Sequence, residues 1–310
     1  MAGSKSGVTQ PDQEFTSMQA TEGDKPSTAV ELLSFWRLSE RPFEATWDTR
    51  FFFRTEEQDE AFHRLNFLVA EESMQMGMVT GEIGCGKTLL RALFADQLDS
   101  TRFEPVVLEN SGFSFEDLLG AMLRSLGVEF DRTDRSKLNR FLLFREKVEE
   151  VYDDDRHLVV LFDEAQEMDR ATLNEIKQLT NLNGDAENYL TVILFGQPEL
   201  RRRVLRVPAI DQRISLRFHL PPLNSEDTAE YLRHRLLVAG HPTGNLFAED
   251  AVELAFQASG GIPRELNRIA KLSLEVGWLK ELPVISRSIV SAVITDLQRH
   301  QKFVPHERGV

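Results

Sequence analysis

The chain has 310 residues, 41% apolar and 28% charged, with a formal net charge of −14. That length allows a large core and more than one domain. The charge excludes a protein that coats nucleic acid with its whole surface, though it leaves room for a local basic patch. The single cysteine excludes an internal disulfide framework and a cysteine-built zinc site. With no eighteen-residue apolar run and no apolar leader, neither a membrane span nor secretion is expected, and a reducing cytoplasmic setting is.

In chain order, residues 1–28 are rich in Ser, Thr, Gly, Gln and Asp and predict a disordered tail. Leu38-Ser39-Glu40-Arg41-Pro42-Phe43, followed by Trp47-Asp48 and Phe51-Phe52-Phe53, is unusually aromatic. Two readings stand open for it: a hydrophobic strap packed across the core, or a linker lying over an adenine ring, which an apolar slot suits. Thr55 opens a helix whose Ala61, Leu65, Leu68 and Val69 make a buried stripe.

Next comes Gly81-Glu82-Ile83-Gly84-Cys85-Gly86-Lys87-Thr88, which fits the phosphate-binding pattern G-x-x-x-x-G-K-[ST] without a mismatch. The apolar Met76, Met78 and Val79 precede it, and Leu89-Leu90-Arg91-Ala92-Leu93-Phe94-Ala95 follows at helical spacing, so the context is strand, glycine loop, helix. Glycines let backbone N–H groups curl around a β-phosphate, and the next helix aims its positive N-terminal end at the same anion. Lys87 is expected on the β- and γ-phosphates and the Thr88 hydroxyl on Mg²⁺, with ATP and Mg²⁺ as the cofactors and residues 81–89 as the binding stretch. Cys85 is read as a small residue at a variable loop position. Its thiol lies near a helix N-terminus, where thiolate is favoured, so its modification is expected to block nucleotide binding.

Pro105-Val106-Val107-Leu108 predicts a buried strand ending at Glu109-Asn110, and Ser114 an N-cap. A charged helix follows from Leu138 to Tyr152, and Asp153-Asp154-Asp155 reads as a solvated turn. Leu158-Val159-Val160-Leu161-Phe162-Asp163-Glu164 is the second informative stretch. Its unbroken apolar run predicts a strand buried on both faces of a parallel sheet. The two acids at its C-terminal end sit where such sheets place ligands, with Asp163 expected to hold Mg²⁺ through water and Glu164 to polarise an attacking water. Tyr189 to Phe195 is another buried strand, after which Gln197 either reaches the γ-phosphate or water, or caps a turn before Pro198. Arg201-Arg202-Arg203, Arg206, Arg213 and Arg217 make an arginine-rich stretch. Most read as a solvated face; the sharper uses are a finger reaching a neighbouring subunit and contacts to nucleic-acid backbone.

Ile214 to Leu220 predicts a last strand, and Pro221-Pro222 a domain boundary. Beyond it Ala251, Leu254, Ala255, Ala258 and Val290, Val293, Ile294, Leu297 repeat at helical spacing, and Gly260-Gly261-Ile262-Pro263-Arg264 ends one helix and starts another. The expected organisation is a tail over 1–28, an α/β nucleotide-binding domain over 29–222, a helical domain over 223–298 and a polar end over 299–310.

Both Walker motifs, alternating strands and helices, and a helical C-terminal domain carrying Gly-x-Pro-Arg make the chain resemble the AAA+ ATPases. Within them it is similar to the ExeA/GspA-type secretion ATPases and the related TniB/TnsC-type transposition ATPases. The closer resemblance rests on Arg41-Pro42-Phe43 with Asp48 and Phe51-Phe52, Phe162-Asp163-Glu164-Ala165-Gln166, Gly196-Gln197-Pro198-Glu199-Leu200, Gln212-Arg213-Ile214 and Gly261-Ile262-Pro263-Arg264. It implies a P-loop parallel sheet sandwiched by helices and followed by a small all-α lid. It also implies Arg264 as sensor 2, Gln197 as sensor 1, Asn110 as the residue restraining the catalytic glutamate, Arg213 as the trans finger with Arg217 second, and rings or filaments bridged by ATP. Secretion-type members usually continue into a membrane span and a periplasmic peptidoglycan-binding region, neither of which is found within these residues. The leading expectation is an ATPase that remodels a partner assembly; the other is an ATP-dependent DNA-binding regulator.

Overall fold

The computed structural model describes residues 28–44, 48–71, 74–131, 136–183 and 188–299. Apart from Thr28 and Arg299 the two expected tails lie outside the described residues, as does Trp47. In chain order the elements are α1 (Thr28–Phe35), α2 (Glu56–Ala70), β1 (Met76–Gly81), α3 (Lys87–Gln97), β2 (Phe103–Leu108), α4 (Phe115–Ser125), α5 (Lys137–Asp153) and β3 (His157–Phe162). There follow α6 (Arg170–Ile176), β4 (Leu190–Gly196), α7 (Pro198–Val204), α8 (Pro208–Asp211), β5 (Ile214–Leu220), α9 (Ser225–Val238), α10 (Glu249–Ser259), α11 (Pro263–Leu279) and α12 (Arg287–Arg299).

The strands form one parallel sheet in the order β2-β3-β4-β1-β5. Period-two alternation divides each strand between two cores. Leu158, Val160 and Phe162 of β3 join α4 to α8 on one face, while Val159 and Leu161 join α2 and α3 on the other. All five are fully buried, which is why the run is apolar without a break. Parallel strands put all their C-terminal ends on one edge, and β4 stands between β1 and β3. The loops after β1, β4 and β3 therefore lie side by side.

Local signals set the helix starts. Thr55 and Gln58 form a reciprocal capping box on α2, and Ser114 caps α4 through the Asp117 N–H. A third core holds α9 to α12 together and takes in Leu32, Trp36, Leu38, Phe43 and Phe51 from the start of the described chain. The Trp36 indole donates to the Leu274 carbonyl at 3.1 Å, and the buried Arg235 guanidinium donates to the carbonyls of Pro42 and Glu44. The aromatic stretch thus packs chiefly against the helical part. Phe51 lies under Arg235, Phe53 against Tyr231 and His234, and Phe52 against Phe62 of the α/β part. Among the described residues no helix is long and apolar enough to cross a membrane.

Candidate nucleotide-binding site

The glycine loop joins β1 to α3 at the C-terminal edge of the sheet. Gly84 has φ +88° and Gly86 φ +95°, conformations that a side chain disfavours. No side chain caps the N-terminus of α3, so its first N–H groups point out of the fold toward any anion placed there. Lys87 is 6% exposed, and its ammonium donates to the carbonyls of Gly81 at 2.8 Å and Glu82 at 2.9 Å. Burial lowers its pKa, opposed in part by the nearby Cys85, Glu164, Asp163 and Glu82 groups.

β3 ends on Asp163, 2% exposed. One of its carboxylate oxygens accepts the Glu164 N–H at 2.9 Å, and the other accepts from Arg91 Nε at 3.1 Å, a pair with both side chains 3% exposed. Glu164 holds a left-handed backbone, φ +49°, uncommon for a residue with a side chain and turning it sharply out of the strand. Its Oε2 accepts from Gln166 Nε2 at 2.6 Å and from Gln197 Nε2 at 3.4 Å. Gln166 Oε1 in turn accepts the Gln197 N–H at 2.9 Å. Gln166 thus ties the ends of β3 and β4 together around one carboxylate.

Arg264 enters from the helical part. Pro263 starts α11, and the Arg264 N–H meets the Gly84 carbonyl at 3.4 Å. A Cβ added to Gly84 would lie 2.6 Å from Arg264 Cβ and 3.2 Å from Ile262 Cγ2, so the lid helix rests on the loop's apex. Ile83 is exposed, and Glu82, Thr88 and Leu89 are half-buried. Asn110 lies two residues past the end of β2, and its side-chain carbonyl accepts the Gly112 N–H at 2.9 Å, a local bond. Arg213 donates to the Ala209 carbonyl and to Asn181, and Arg217 pairs with Asp211 at 2.7 Å. Ile214 is in register with Met76, at the opposite end of β1 from the loop. The sheet therefore does not bring Arg213 to its own chain's glycine loop, from which it is separated by roughly 17 Å of strand.

For Cys85 the expectation of a thiolate-favouring setting is corrected. The side chain is 3% exposed in the core between α2, α3 and the sheet, and burial pushes its thiol up to about 11 despite the helix terminus and the nearby Lys87. Two site residues escaped the sequence reading. Arg91 stood out as a lone charge in an apolar helix stripe, and Gln166 as an amide two residues past paired acids; only their partners give them meaning.

The donor set fits the groups expected there. A hydroxyl and a carboxylate are hard oxygen donors of the kind Mg²⁺ takes while keeping waters and phosphate oxygens. The glycine backbone leaves room for phosphates. Residues 70–204 match the model of a family described as AAA domain. General secretion pathway protein A of Aeromonas hydrophila is 35% identical over 243 residues, 77% of this chain and 44% of that protein. In fold the chain matches the Aeropyrum pernix ORC2 protein in its ADPNP-ADP complexes, with TM-score 0.64 and 15% identity over 83% of this chain and 72% of that one. It also matches Cdc6p from Pyrobaculum aerophilum, with TM-score 0.60 and 18% identity over 79% and 67%. At those identities the structures speak for fold alone. The chain holds an AAA domain over residues 70–204, in a P-loop α/β fold with helices C-terminal to the sheet. In sequence it resembles the GspA type, and it spans less than half the length of the curated relatives it matches.

Proposed function

We propose that this protein binds and hydrolyses ATP with Mg²⁺, associates with copies of itself through the nucleotide, and so changes the state of a partner assembly of the secretion type, on the cytoplasmic side. The observation that carries the reading is the meeting of Lys87, Asp163, Glu164 and Gln197 at the ends of β1, β3 and β4, with Arg264 seated on Gly84.

In this reading the loop N–H groups from Gly81 to Leu89 hold the phosphates, and Lys87 leaves its two carbonyls for the β- and γ-phosphate oxygens. Mg²⁺ would be held by the Thr88 hydroxyl and, through water, by Asp163, and would supply neutralisation of charge on those oxygens. Glu164 polarises a water in line with the γ-phosphorus and takes its proton. The new O–P bond forms as the bond to the bridging oxygen breaks, and ADP leaves with that electron pair. Gln197 and Arg264 add donors to the γ-phosphate. The hydrogen bond from Gln166 holds Glu164 to one side until the site is complete. Asn110 takes the switch role that the resemblance implies if its amide leaves Gly112. Arg213, remote from its own loop, is assigned to a neighbouring copy's nucleotide, with Arg217 second.

The test is Glu164→Gln. It should keep ATP affinity within about threefold and lower turnover at least about 100-fold; wild-type turnover would remove Glu164 from the chemistry. Lys87→Ala should abolish nucleotide binding. A second reading, an ATP-dependent DNA-binding regulator of the TniB/TnsC type, is favoured by the exposed arginines from Arg201 to Arg206 and opposed by the net charge. It requires ATP-dependent, salt-sensitive retention on duplex DNA, and fails if none occurs at low salt.

A further inference from the structure

A cleft of about 420 Å³ opens between α6 and the end of α7, lined by Met168, Arg170, Leu173, Arg203, Arg206 and Val207. Its apolar residues, Met168, Leu173 and Val207, are each at most 5% exposed, while its three arginines are exposed. The side chains of Arg170 and Arg206 make no hydrogen bond or ion pair with any described residue. Their neighbours differ, for Arg202 pairs with Glu199 and Arg217 with Asp211. In a chain with 50 acidic and 36 basic residues, like charges left unpaired around one hollow repel each other until an anion arrives.

The walls of this cleft continue from the site. From Glu164 the chain makes a 3₁₀ turn at Ala165–Glu167 and reaches Met168 directly. From Gln197 it enters α7, which ends beside Arg203 and Arg206. Arg203 Nη1 donates to the Met168 carbonyl at 2.9 Å and fastens one wall to the other. The cleft is thus walled by continuations of the two segments that hold the Glu164 carboxylate.

We infer that the cleft docks an acidic, apolar segment of a partner protein and that docking shifts the hydrogen bonding of Glu164; the second half rests on the hydrolytic role proposed for that residue. Guanidinium forks match carboxylates in bidentate geometry, and the apolar lining is suited to a leucine, methionine or phenylalanine side chain. A DNA backbone meets the arginines equally well but brings no apolar group to the lining, so the peptide is favoured.

The test is fluorescence anisotropy on the full chain without nucleotide. The probe is a short labelled peptide in which Asp and Glu alternate with Leu and Phe. It should bind the wild type, and Arg170→Glu/Arg206→Glu should weaken binding at least about tenfold. Both side chains are exposed, so the double variant should keep its circular dichroism and Tm. A peptide with Ser in place of Leu and Phe should bind about tenfold more weakly than the probe. Docking is overturned if the wild type fails to bind the probe, if the double variant binds it equally, or if duplex DNA binds through these arginines and the peptide does not. With saturating peptide, ATP turnover should change in the wild type and not in the double variant. Binding with no change in turnover leaves the docking site standing and refutes its link to Glu164. Loss of the hydrolytic reading would show separately, as unaltered turnover in Glu164→Gln.

Discussion

Asp163 has both carboxylate oxygens engaged, one on the Glu164 N–H and one on the Arg91 guanidinium, in a buried pair. Coulomb attraction in such a place offsets the cost of desolvating two charges only while both are present. Arg91→Ala therefore leaves a buried carboxylate uncompensated and should destabilise the fold by about 3–5 kcal/mol in urea unfolding; a change below about 1 kcal/mol would mean that water reaches Asp163. Cys85 gives a second expectation at this scale. With its thiol raised from 9.0 to about 11, it carries far less thiolate than an ordinary cysteine at pH 8. Alkylation of the folded protein should run about 100-fold slower than of the unfolded chain, and equal rates would show the thiol open to reagent.

Three glycines at the element scale show how the lid is aimed. A Cβ on Gly261 would come within 1.9 Å of the Leu223 carbonyl oxygen, and the Leu223 N–H donates to the Gly261 carbonyl at 2.9 Å. The chain leaving the sheet is thereby pinned to the turn that starts α11, which sets Arg264 on the glycine loop. Gly84 and Gly86 both have positive φ, yet an added Cβ meets the lid helix at Gly84 and nothing within 4 Å at Gly86. Both alanine variants incur the backbone strain, about 1 kcal/mol, and only Gly84→Ala also forces α11 away. It should lower Tm more than Gly86→Ala, by several degrees, in the nucleotide-free protein. Equal losses would mean that the lid does not bear on the loop.

The whole molecule carries a pH dependence from His157 at the start of β3. Its imidazole lies at 2.9 Å from the Thr191 hydroxyl, and burial lowers its pKa to about 4 from an ordinary 6.5. The folded state keeps it neutral while the unfolded chain takes up a proton as pH falls below 6.5. Stability is therefore lost between pH 6.5 and about 4, by roughly 1–2 kcal/mol from pH 7 to pH 5. Urea unfolding at the two pH values should show this slope, and His157→Gln should flatten it; an unchanged slope would place its origin elsewhere.

Much of this architecture is legible along the chain because its causes are local. The β3 run must be apolar when both faces of its strand are covered, and the β5 segment Ile214–Leu220 alternates because as an edge strand it buries fewer of its residues. The glycine loop, the Thr55 and Ser114 caps and the Pro263 helix start each need particular residue types within a few positions. What the residue order left open is pairing at a distance. Arg91 and Asp163 are separated by 72 positions, Gln166 and Gln197 by 31, and Trp36 and Leu274 by 238. For the aromatic stretch the residue order named no packing partner, and the tertiary structure joins it to the core of α9 to α12.

By itself, then, the amino-acid sequence determined the elements, the phosphate loop and the acids that end β3, since hydrophobic periodicity and backbone sterics act over a handful of residues. Only the tertiary structure decided that Asp163 is held by a buried arginine, that Glu164 shares its carboxylate with two glutamines, and that Cys85 is a sealed thiol. The reason is physical: burial, charge pairing and the aim of a side chain depend on which surfaces meet, and packing alone brings those surfaces together.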